Sequence, residues 1–283
     1  MISIDNGILT AKFNEIGAEL KSLTCNGKEY VWKGEKESWN KSCPILFPIC
    51  SGLKNDTYTF KGVNYNLSKH GYVKELPFTV EENTNSSIVF LHKSNDLTKA
   101  KFPFDYELRI IYTLSEKTIK IDYCVKNKSN ETMYFNIGSH EGYSTPEGIE
   151  NYEIVFPEKV TLNSSLLEDN LLSNETVRVL ENGDTFSLNE TYFDENTLIF
   201  KNINLKSMIL KNKLNDRAIK IDCDGSPHLI IWHVLNAKFI CLELWNGIPD
   251  TVGSSYDITE KESIIPLLAN AEYKTTHSIT VIK

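Results

Sequence analysis

The sequence is short of several features that mark other classes of protein. No apolar run approaches the ~20 residues of a membrane-spanning helix, and the first residues lack a basic segment followed by an apolar one. Three of the 283 residues are arginine, and 30 Lys and Arg stand against 38 Asp and Glu, which gives a formal net charge of −8. An acidic chain repels phosphate backbones and anionic lipids. We therefore expect a cytoplasmic protein with no nucleic-acid partner and no membrane partner.

Signatures of metal, redox and nucleotide chemistry are also missing. The chain has no Gly-x-Gly-x-x-Gly, Gly-x-x-x-x-Gly-Lys-Ser/Thr, His-Glu-x-x-His or Gly-x-Ser-x-Gly motif, which argues against the nucleotide-binding, metalloprotease and α/β-hydrolase classes. Six cysteines are scattered along the chain without a Cys-x-x-Cys pair: Cys25, Cys43, Cys50, Cys124, Cys223 and Cys241. This spacing is typical of reduced, mostly buried thiols, so we expect no metal site.

What the sequence has in quantity is alternation of apolar and polar residues with a period of two, the pattern of strands with one buried face. The clearest segments are Leu9–Phe13, Ile88–Leu91, Leu108–Tyr112, Ile119–Tyr123, Ala218–Asp222, Leu229–Trp232, Phe239–Glu243 and His277–Ile282. The regular series of helices that a doubly wound α/β fold needs is not found. We predict an all-β protein, a large antiparallel β-sandwich with few or no long helices, forming one domain over residues 1–283. The polar stretch Leu162–Glu195 is predicted to be a long excursion with a weak helix at Ser165–Leu171.

Three segments place ionisable residues beside aromatic residues and glycine, where a backbone can approach a ligand and a ring can stack on it. They are Pro44–Pro48 followed by His70–Tyr72, then Tyr134–Tyr143, and then Cys241–Gly247. In the last of these, Glu243 is flanked by leucines and shares a face of its strand with Trp245. Such a carboxylate either points to solvent or must be paired or functional.

His70 and His140 stand out from the other histidines by their glycine and aromatic neighbours. From local context alone, each is open between a structural role and a ligand-binding role. If Glu243 and both imidazoles converge in an aromatic cleft, the site suits a neutral polyol, because rings stack on C–H faces and polar groups bind hydroxyls. A carboxylate and an imidazole also form an acid/base pair near neutral pH.

Taken in order, these motifs resemble the aldose 1-epimerase (galactose mutarotase-like) superfamily, in particular its LacX-like bacterial branch. The resemblance runs nearly end to end through Gly17–Leu23, Trp32–Lys33, Pro44–Pro48, His70–Tyr72, Phe135–His140, Cys241–Asp250, Gly253–Tyr256 and Thr275–His277. It implies a β-sandwich of the galactose mutarotase type that binds a free hexose in its concave face.

The resemblance also implies roles for single residues. Glu243 would take the proton from the anomeric hydroxyl, His140 would protonate the ring oxygen, and His70 would hydrogen-bond the sugar near that oxygen. The ring would open, rotate about C1–C2 and close on its other face, without a cofactor. The further residues expected to bind substrate are Phe47, Tyr72, Phe135, Asp194, Asn196, Trp245, Lys54 and Lys74.

The chain departs from the family pattern at two places. Gly52 stands where family members usually carry an arginine. Lys54 or Lys74 could supply a positive charge there, but an ammonium group does not reproduce the bidentate hydrogen bonds of a guanidinium group. Direct spacing puts Asn196 at a family Asp position, with Asp194 nearby. Our leading interpretation is an aldose 1-epimerase acting on an unphosphorylated aldose. A carbohydrate-binding protein without turnover is the alternative, and a hexose-6-phosphate epimerase is less favoured because arginine is scarce. Which sugar is bound, and the oligomeric state, are open at this stage.

Overall fold

The structure is a computed structural model that describes residues 1–194, 197–203, 205–223 and 225–282. These residues form 23 strands and one turn of α-helix, α1 (Asp96–Lys99). The strands are β1 (Ile2–Asp5), β2 (Leu9–Asn14), β3 (Glu19–Cys25), β4 (Lys28–Glu29), β5 (Ile45–Leu46), β6 (Thr57–Phe60), β7 (Val63–Asn66), β8 (Thr79–Asn83), β9 (Ser87–Lys93), β10 (Tyr106–Ser115), β11 (Thr118–Asn127), β12 (Met133–Phe135), β13 (Gly138–Ser139), β14 (Gly142–Ser144), β15 (Tyr152–Glu168), β16 (Leu171–Ser187), β17 (Leu198–Phe200), β18 (Ser207–Asn212), β19 (Ala218–Asp222), β20 (His228–Trp232), β21 (Phe239–Trp245), β22 (Ile265–Leu267) and β23 (Glu272–Val281). Single 3-10 turns lie at Lys54–Asp56, Val73–Glu75, Ile149–Asn151, Glu190–Tyr192 and Ile258–Glu260.

Fifteen of these strands form one antiparallel sheet. Its order is β5-β13-β21-β20-β17-β15-β18-β19-β23-β11-β10-β9-β8, with β14 added to β21 and β16 to β15. Strands β1 to β4 form a second sheet, and β6/β7 and β12/β22 form two small pairs. The all-β fold with antiparallel sheets and no long helix, predicted from the period-two pattern, is confirmed. No described helix has the length and apolar character needed to cross a membrane.

The core lies between the second sheet and the β9–β11 part of the large sheet. Phe13 of β2 packs its ring against Tyr112 of β10 at 4.5 Å between centroids and against Phe90 of β9 at 5.8 Å. The Tyr112 hydroxyl donates a hydrogen bond to the carbonyl of Ala18 at 2.9 Å, which joins the two layers. Every second residue of β10 is buried, as the alternation in its sequence predicts. No disulfide joins the six cysteines, and five of them are buried.

The segment predicted to be a polar excursion with a weak helix is a long hairpin instead. Strands β15 and β16 are 17 residues each, and register shifts interrupt their pairing. They are joined by Asp169 and Asn170, both at positive φ (50° and 65°). A two-residue turn with both φ values positive matches the twist of paired strands, and Asn and Asp tolerate that conformation. The turn therefore reverses the chain where a helix was expected, and it brings the hairpin tip beside the cavity described next.

Candidate active site

One face of the large sheet forms the floor of a cavity of about 350 Å³. Ile199 on β17, Ile230 on β20 and Glu243 on β21 line it. The register explains why they do: Ile199 pairs with Ile230, and Ile230 pairs with Glu243. Residues opposite each other in a ladder point to the same face, so these side chains form a row. Trp232 and Trp245, two positions along their strands, extend the floor on the same face.

His140 reaches this row because two short strands flank it. Gly138 of β13 pairs with Trp245, and Gly142 of β14 pairs with Cys241, both on β21. His140 lies midway between the two glycines and therefore stands opposite Glu243. The Nδ1 atom of His140 lies 3.4 Å from Oε1 of Glu243. The sheet register thus brings together the carboxylate and the imidazole that the family resemblance implied.

Aromatic rings enclose His140 on two sides. Trp39 stacks on the imidazole at 4.8 Å between centroids, with 29° between the planes. Trp232 meets it edge-on at 5.5 Å. The His140 side chain is 11% exposed and that of Glu243 is 1% exposed. The pair is consequently held in a medium with little water, where charges are costly.

Burial moves the pKa values of the two groups in opposite directions. It raises the pKa of Glu243 well above its ordinary value, and the nearby Glu141 carboxylate raises it further. Burial lowers the pKa of His140 well below its ordinary value; a protonated His70 would lower it further, and the charges of Lys69 and Lys74 also lower it. These shifts favour the uncharged form of the pair, in which Glu243 holds one proton that it can share with His140. Within the described chain, neither Nδ1 of His140, which faces Glu243, nor Oε2 of Glu243 makes a hydrogen bond, and both atoms are buried.

His70 completes the cluster from a loop. Its ring lies 5.4 Å from that of His140 and 5.6 Å from that of Trp245. Nδ1 of His70 contacts the carbonyl oxygen of Cys50, so Nδ1 carries the proton and Nε2 keeps its lone pair. Burial lowers the pKa of His70 to about 3, with smaller contributions from Lys69 and Lys74. His70 is therefore a neutral hydrogen-bond acceptor at physiological pH.

The loop that carries His70 is fixed by the glycine that follows. Gly71 has a φ of +65°, and a Cβ at this position would lie 2.1 Å from the carbonyl oxygen of Phe47. The amide of Tyr72 donates to the same carbonyl at 3.1 Å. Only glycine permits this close backbone approach, which orients the His70 side chain toward the cavity.

Three aromatic residues predicted to bind substrate lie in the core instead of the cavity wall: Phe47, Tyr72 and Phe135. The ring of Phe47 packs on that of Phe135 at 5.7 Å, and the Tyr72 hydroxyl lies 3.2 Å from that of Tyr106. Leu46 lines the cavity, so alternation along the chain turns Phe47 to the opposite face. The expectation that these rings touch the ligand is corrected. They support the site from behind.

The other predicted binding residues divide between the cavity and its surroundings. Lys74 and Trp245 line the cavity. Lys54 borders an adjoining groove, where its Nζ donates to the carbonyl of Val252 at 3.0 Å. Asp194 is exposed and is not among the described lining residues, which corrects its assignment, and Asn196 lies outside the described residues. A Cβ at Gly52 would meet no atom within 4 Å, so the position expected for a family arginine faces open space.

The sequence interpretation did not single out several residues that matter here. Trp39, Lys41 and Lys69 line the cavity from loops, where no periodicity marks them. Trp232 could have been found, because it follows Ile230 by two positions in a predicted strand. Glu141 carries no sequence signal of its own, because it lies in a polar stretch beside His140 and its burial depends on tertiary packing.

One group of side chains has the chemistry of a metal site. Donor atoms of His140, Cys241 and Glu243 all lie within 4.8 Å of one another. Zinc–ligand bonds of about 2.0–2.3 Å would hold donor atoms about 1 Å closer together than that. The three residues would have to contract around an ion.

Comparison with known proteins places this site in a family. Residues 1–260 match the family model for aldose 1-epimerase. The chain is 29% identical to protein LacX of Lactococcus lactis subsp. lactis over 99% of both chains. A galactose mutarotase related enzyme from Lactobacillus acidophilus superposes with a TM-score of 0.95 at 29% identity, covering 100% of this chain and 97% of that one. A galactose mutarotase-like protein from Lactobacillus casei gives 0.94 at 28% identity, covering 99% of each chain. The chain belongs to the aldose 1-epimerase family.

Proposed function

We propose that this chain is an aldose 1-epimerase that interconverts the α and β anomers of an aldose by opening and closing its ring. The observation that carries the proposal is the pair of His140 and Glu243, 3.4 Å apart at the floor of a cavity with aromatic walls. Anomer exchange needs one proton to leave the anomeric hydroxyl and one to arrive at the ring oxygen. A pair that shares one proton can do both without net gain or loss.

The proton movements follow from the positions of the atoms. The shared proton passes from Glu243 to Nδ1 of His140 across their contact, and the imidazolium then presents Nε2–H to the ring oxygen. The Glu243 carboxylate accepts the proton of the anomeric hydroxyl as the C1–O5 bond breaks. Rotation about C1–C2 turns the aldehyde over, and the reverse transfers close the ring on its other face.

His70 has a supporting role in this scheme. Because its Nε2 keeps a lone pair and the ring stays neutral, it accepts a hydrogen bond from a sugar hydroxyl and orients the ring against His140. The apolar floor of Ile199 and Ile230, together with the indole of Trp245, provides surface for the C–H face of the sugar.

The test is anomer exchange measured by NMR magnetisation transfer, comparing wild type with Glu243→Gln. Because Glu243 is buried and favours its neutral form, the isosteric amide fits the same space and the fold is retained. We expect catalysed exchange to fall by at least about 100-fold, as for loss of a general base. Glu82→Gln, an exposed change on β8, is the matched control and keeps wild-type exchange. A Glu243→Gln protein with full activity would remove Glu243 from the mechanism.

A second candidate function is sugar binding without turnover. It is favoured by Gly52, which leaves open space where the resemblance leads us to expect an arginine on the substrate. Saturable binding of a sugar, with exchange no faster than in buffer, would select this function. Exchange that increases in proportion to wild-type concentration would reject it.

A further inference from the structure

Three lysines line the cavity in a protein whose net charge is −8. Lys41, Lys69 and Lys74 border the same space as His70 and Glu243. Glu243 is the one carboxylate among the described lining residues, and burial favours its neutral form. The cavity is therefore cationic, although the chain as a whole is acidic. Such a concentration of one sign of charge in a concave site attracts ligands of the other sign.

None of the three ammonium groups is neutralised within the described chain. No carboxylate oxygen lies within 4.0 Å of the Nζ of Lys41, Lys69 or Lys74, whereas Lys261 nearby is paired with Asp250 at 2.7 Å. Lys74 is fixed in place by donating to the carbonyls of Lys69, at 3.1 Å, and Gly71, at 2.5 Å. An ammonium group has three donors, so Lys74 retains one for a ligand.

The lysines are close enough to act on each other and on the acid/base groups. Burial lowers the pKa of Lys74, the negative charge of Glu75 raises it in part, and the positive charge of Lys41 lowers it again. The charges of Lys69 and Lys74 lower the pKa of both His70 and His140. The positive charges of Lys41 and Lys74 consequently repel each other at the cavity, and an anion between them would relieve that repulsion.

We propose that the substrate is an aldose carrying an anionic group, a phosphate or a carboxylate, which Lys41, Lys69 and Lys74 bind while the ring sits against His140 and Glu243. Ammonium groups only donate hydrogen bonds and anionic oxygens only accept them, so the two are complementary. A neutral hexose would offer these lysines only hydroxyl groups, which bind an ammonium group less strongly than anionic oxygens do. Lysines here provide the cationic site that the scarcity of arginine had argued against.

This inference rests on the proposed function for its reaction, but its binding part is tested separately. Isothermal titration of wild type with glucose, glucose 6-phosphate and glucuronate compares neutral, phosphorylated and carboxylated forms of one ring. We expect at least one anionic sugar to bind roughly tenfold or more tightly than glucose. Its affinity falls as salt is raised, while that of glucose does not. The better of the two anionic sugars identifies the group as phosphate or carboxylate.

Variants locate the binding site of the anion. Lys69→Gln removes an exposed side chain, so its fold is expected to be unchanged, and it lowers the affinity for the anionic sugar roughly tenfold. Lys41→Gln has the same effect, and both changes lower the affinity for the anionic sugar by a larger factor than the affinity for glucose. Lys117→Gln, at the exposed turn between β10 and β11, is the matched control and changes nothing.

The outcomes separate the two proposals. Glucose bound as tightly as both anionic sugars, or anionic binding indifferent to Lys69→Gln and Lys41→Gln, overturns the anionic substrate even if glucose exchange is catalysed. Preferential binding of an anionic sugar with no catalysed exchange of any sugar supports this inference and overturns the proposed epimerase. Absence of binding by all three sugars overturns both.

Discussion

Glu141 is a buried carboxylate on the side of the strand opposite to His140. Its Oε1 lies 2.8 Å from Nε2 of His277, and its Oε2 accepts a hydrogen bond from the Ser139 hydroxyl at 2.5 Å. It does not line the cavity, yet its charge is the second cause, after burial, of the raised pKa of Glu243. A residue behind the site therefore helps to decide whether the acid/base pair keeps its proton.

This position gives a prediction for Glu141→Gln. The pair loses its shared proton when Glu243 ionises at high pH, and a negative Glu141 opposes that ionisation. Removing the charge lets the pKa of Glu243 fall, so the alkaline limb of the pH–kcat profile moves to lower pH while the acid limb stays. The profile of catalysed exchange measures the shift, with Glu82→Gln as control. An alkaline limb that stays in place or moves up would show that Glu141 has only a structural role.

At the scale of elements, the cluster of Glu243, His140 and His70 depends on how one loop is attached to a neighbouring strand. His70 is carried by a loop whose Gly71 sits against the carbonyl of Phe47, and Phe47 follows β5. On the other side, Leu172 of the β15–β16 hairpin donates its amide to the carbonyl of Asp250 at 2.8 Å. Asp250 in turn accepts from Lys261, so the walls of the cavity are joined by buried polar contacts.

Gly71→Ala tests the loop. An added Cβ would clash with the Phe47 carbonyl and would strain a backbone at positive φ, so we expect unfolding to become easier by at least about 2 kcal/mol. Catalysed exchange falls as well, because His70 is displaced. Gly253→Ala, where an added Cβ meets nothing within 4 Å, is the control and leaves both quantities near wild type. Urea denaturation gives the free energy, and equal stability of the two variants would contradict the tight approach at Gly71.

The elements also show what could be read from the sequence. All eight strands predicted from alternation are present. A strand with one buried face has an apolar residue at every second position, as β10 does, so the sequence alone reveals it. Glu243 and Trp245 share a face for the same reason. The pairing of Glu243 with His140, more than 100 positions away, depends on register and was accessible only through the family resemblance. The hairpin was missed because its strands are polar and irregular, and its turn rests on two residues, Asp169 and Asn170.

At the scale of the whole molecule, several buried histidines are held neutral. Burial lowers the pKa of His70 to about 3 and that of His228 to about 4, and it lowers the pKa of His92 and His140 as well. In the unfolded chain these groups titrate near 6.5. Below that pH these histidines bind protons in the unfolded state but stay neutral in the folded state, so acid favours unfolding. Glu243, whose pKa is raised, binds a proton more readily in the folded state and so stabilises the fold as the pH falls. It is one group, however, and the four histidines have the opposite effect.

We therefore expect the free energy of unfolding to fall as the pH drops from about 6.5 to 5, by about 1.4 kcal/mol per pH unit for each net proton. Carboxylates with lowered pKa values add their own loss only at lower pH. Urea titrations at pH 7 and pH 5 measure the difference, and His70→Asn makes it smaller by removing one of the buried imidazoles. A protein more stable at pH 5 than at pH 7 would contradict this account.

The walls of the cavity hold three of the four tryptophans of the chain, Trp39, Trp232 and Trp245. The fourth, Trp32, stacks on Phe239, whose ring also contacts Trp39. Nearly all of the indole fluorescence therefore arises within or next to the space that a ligand would fill. A sugar entering that space displaces water from the rings and changes their emission, so the protein carries its own optical reporter of occupancy, one that needs neither a label nor turnover.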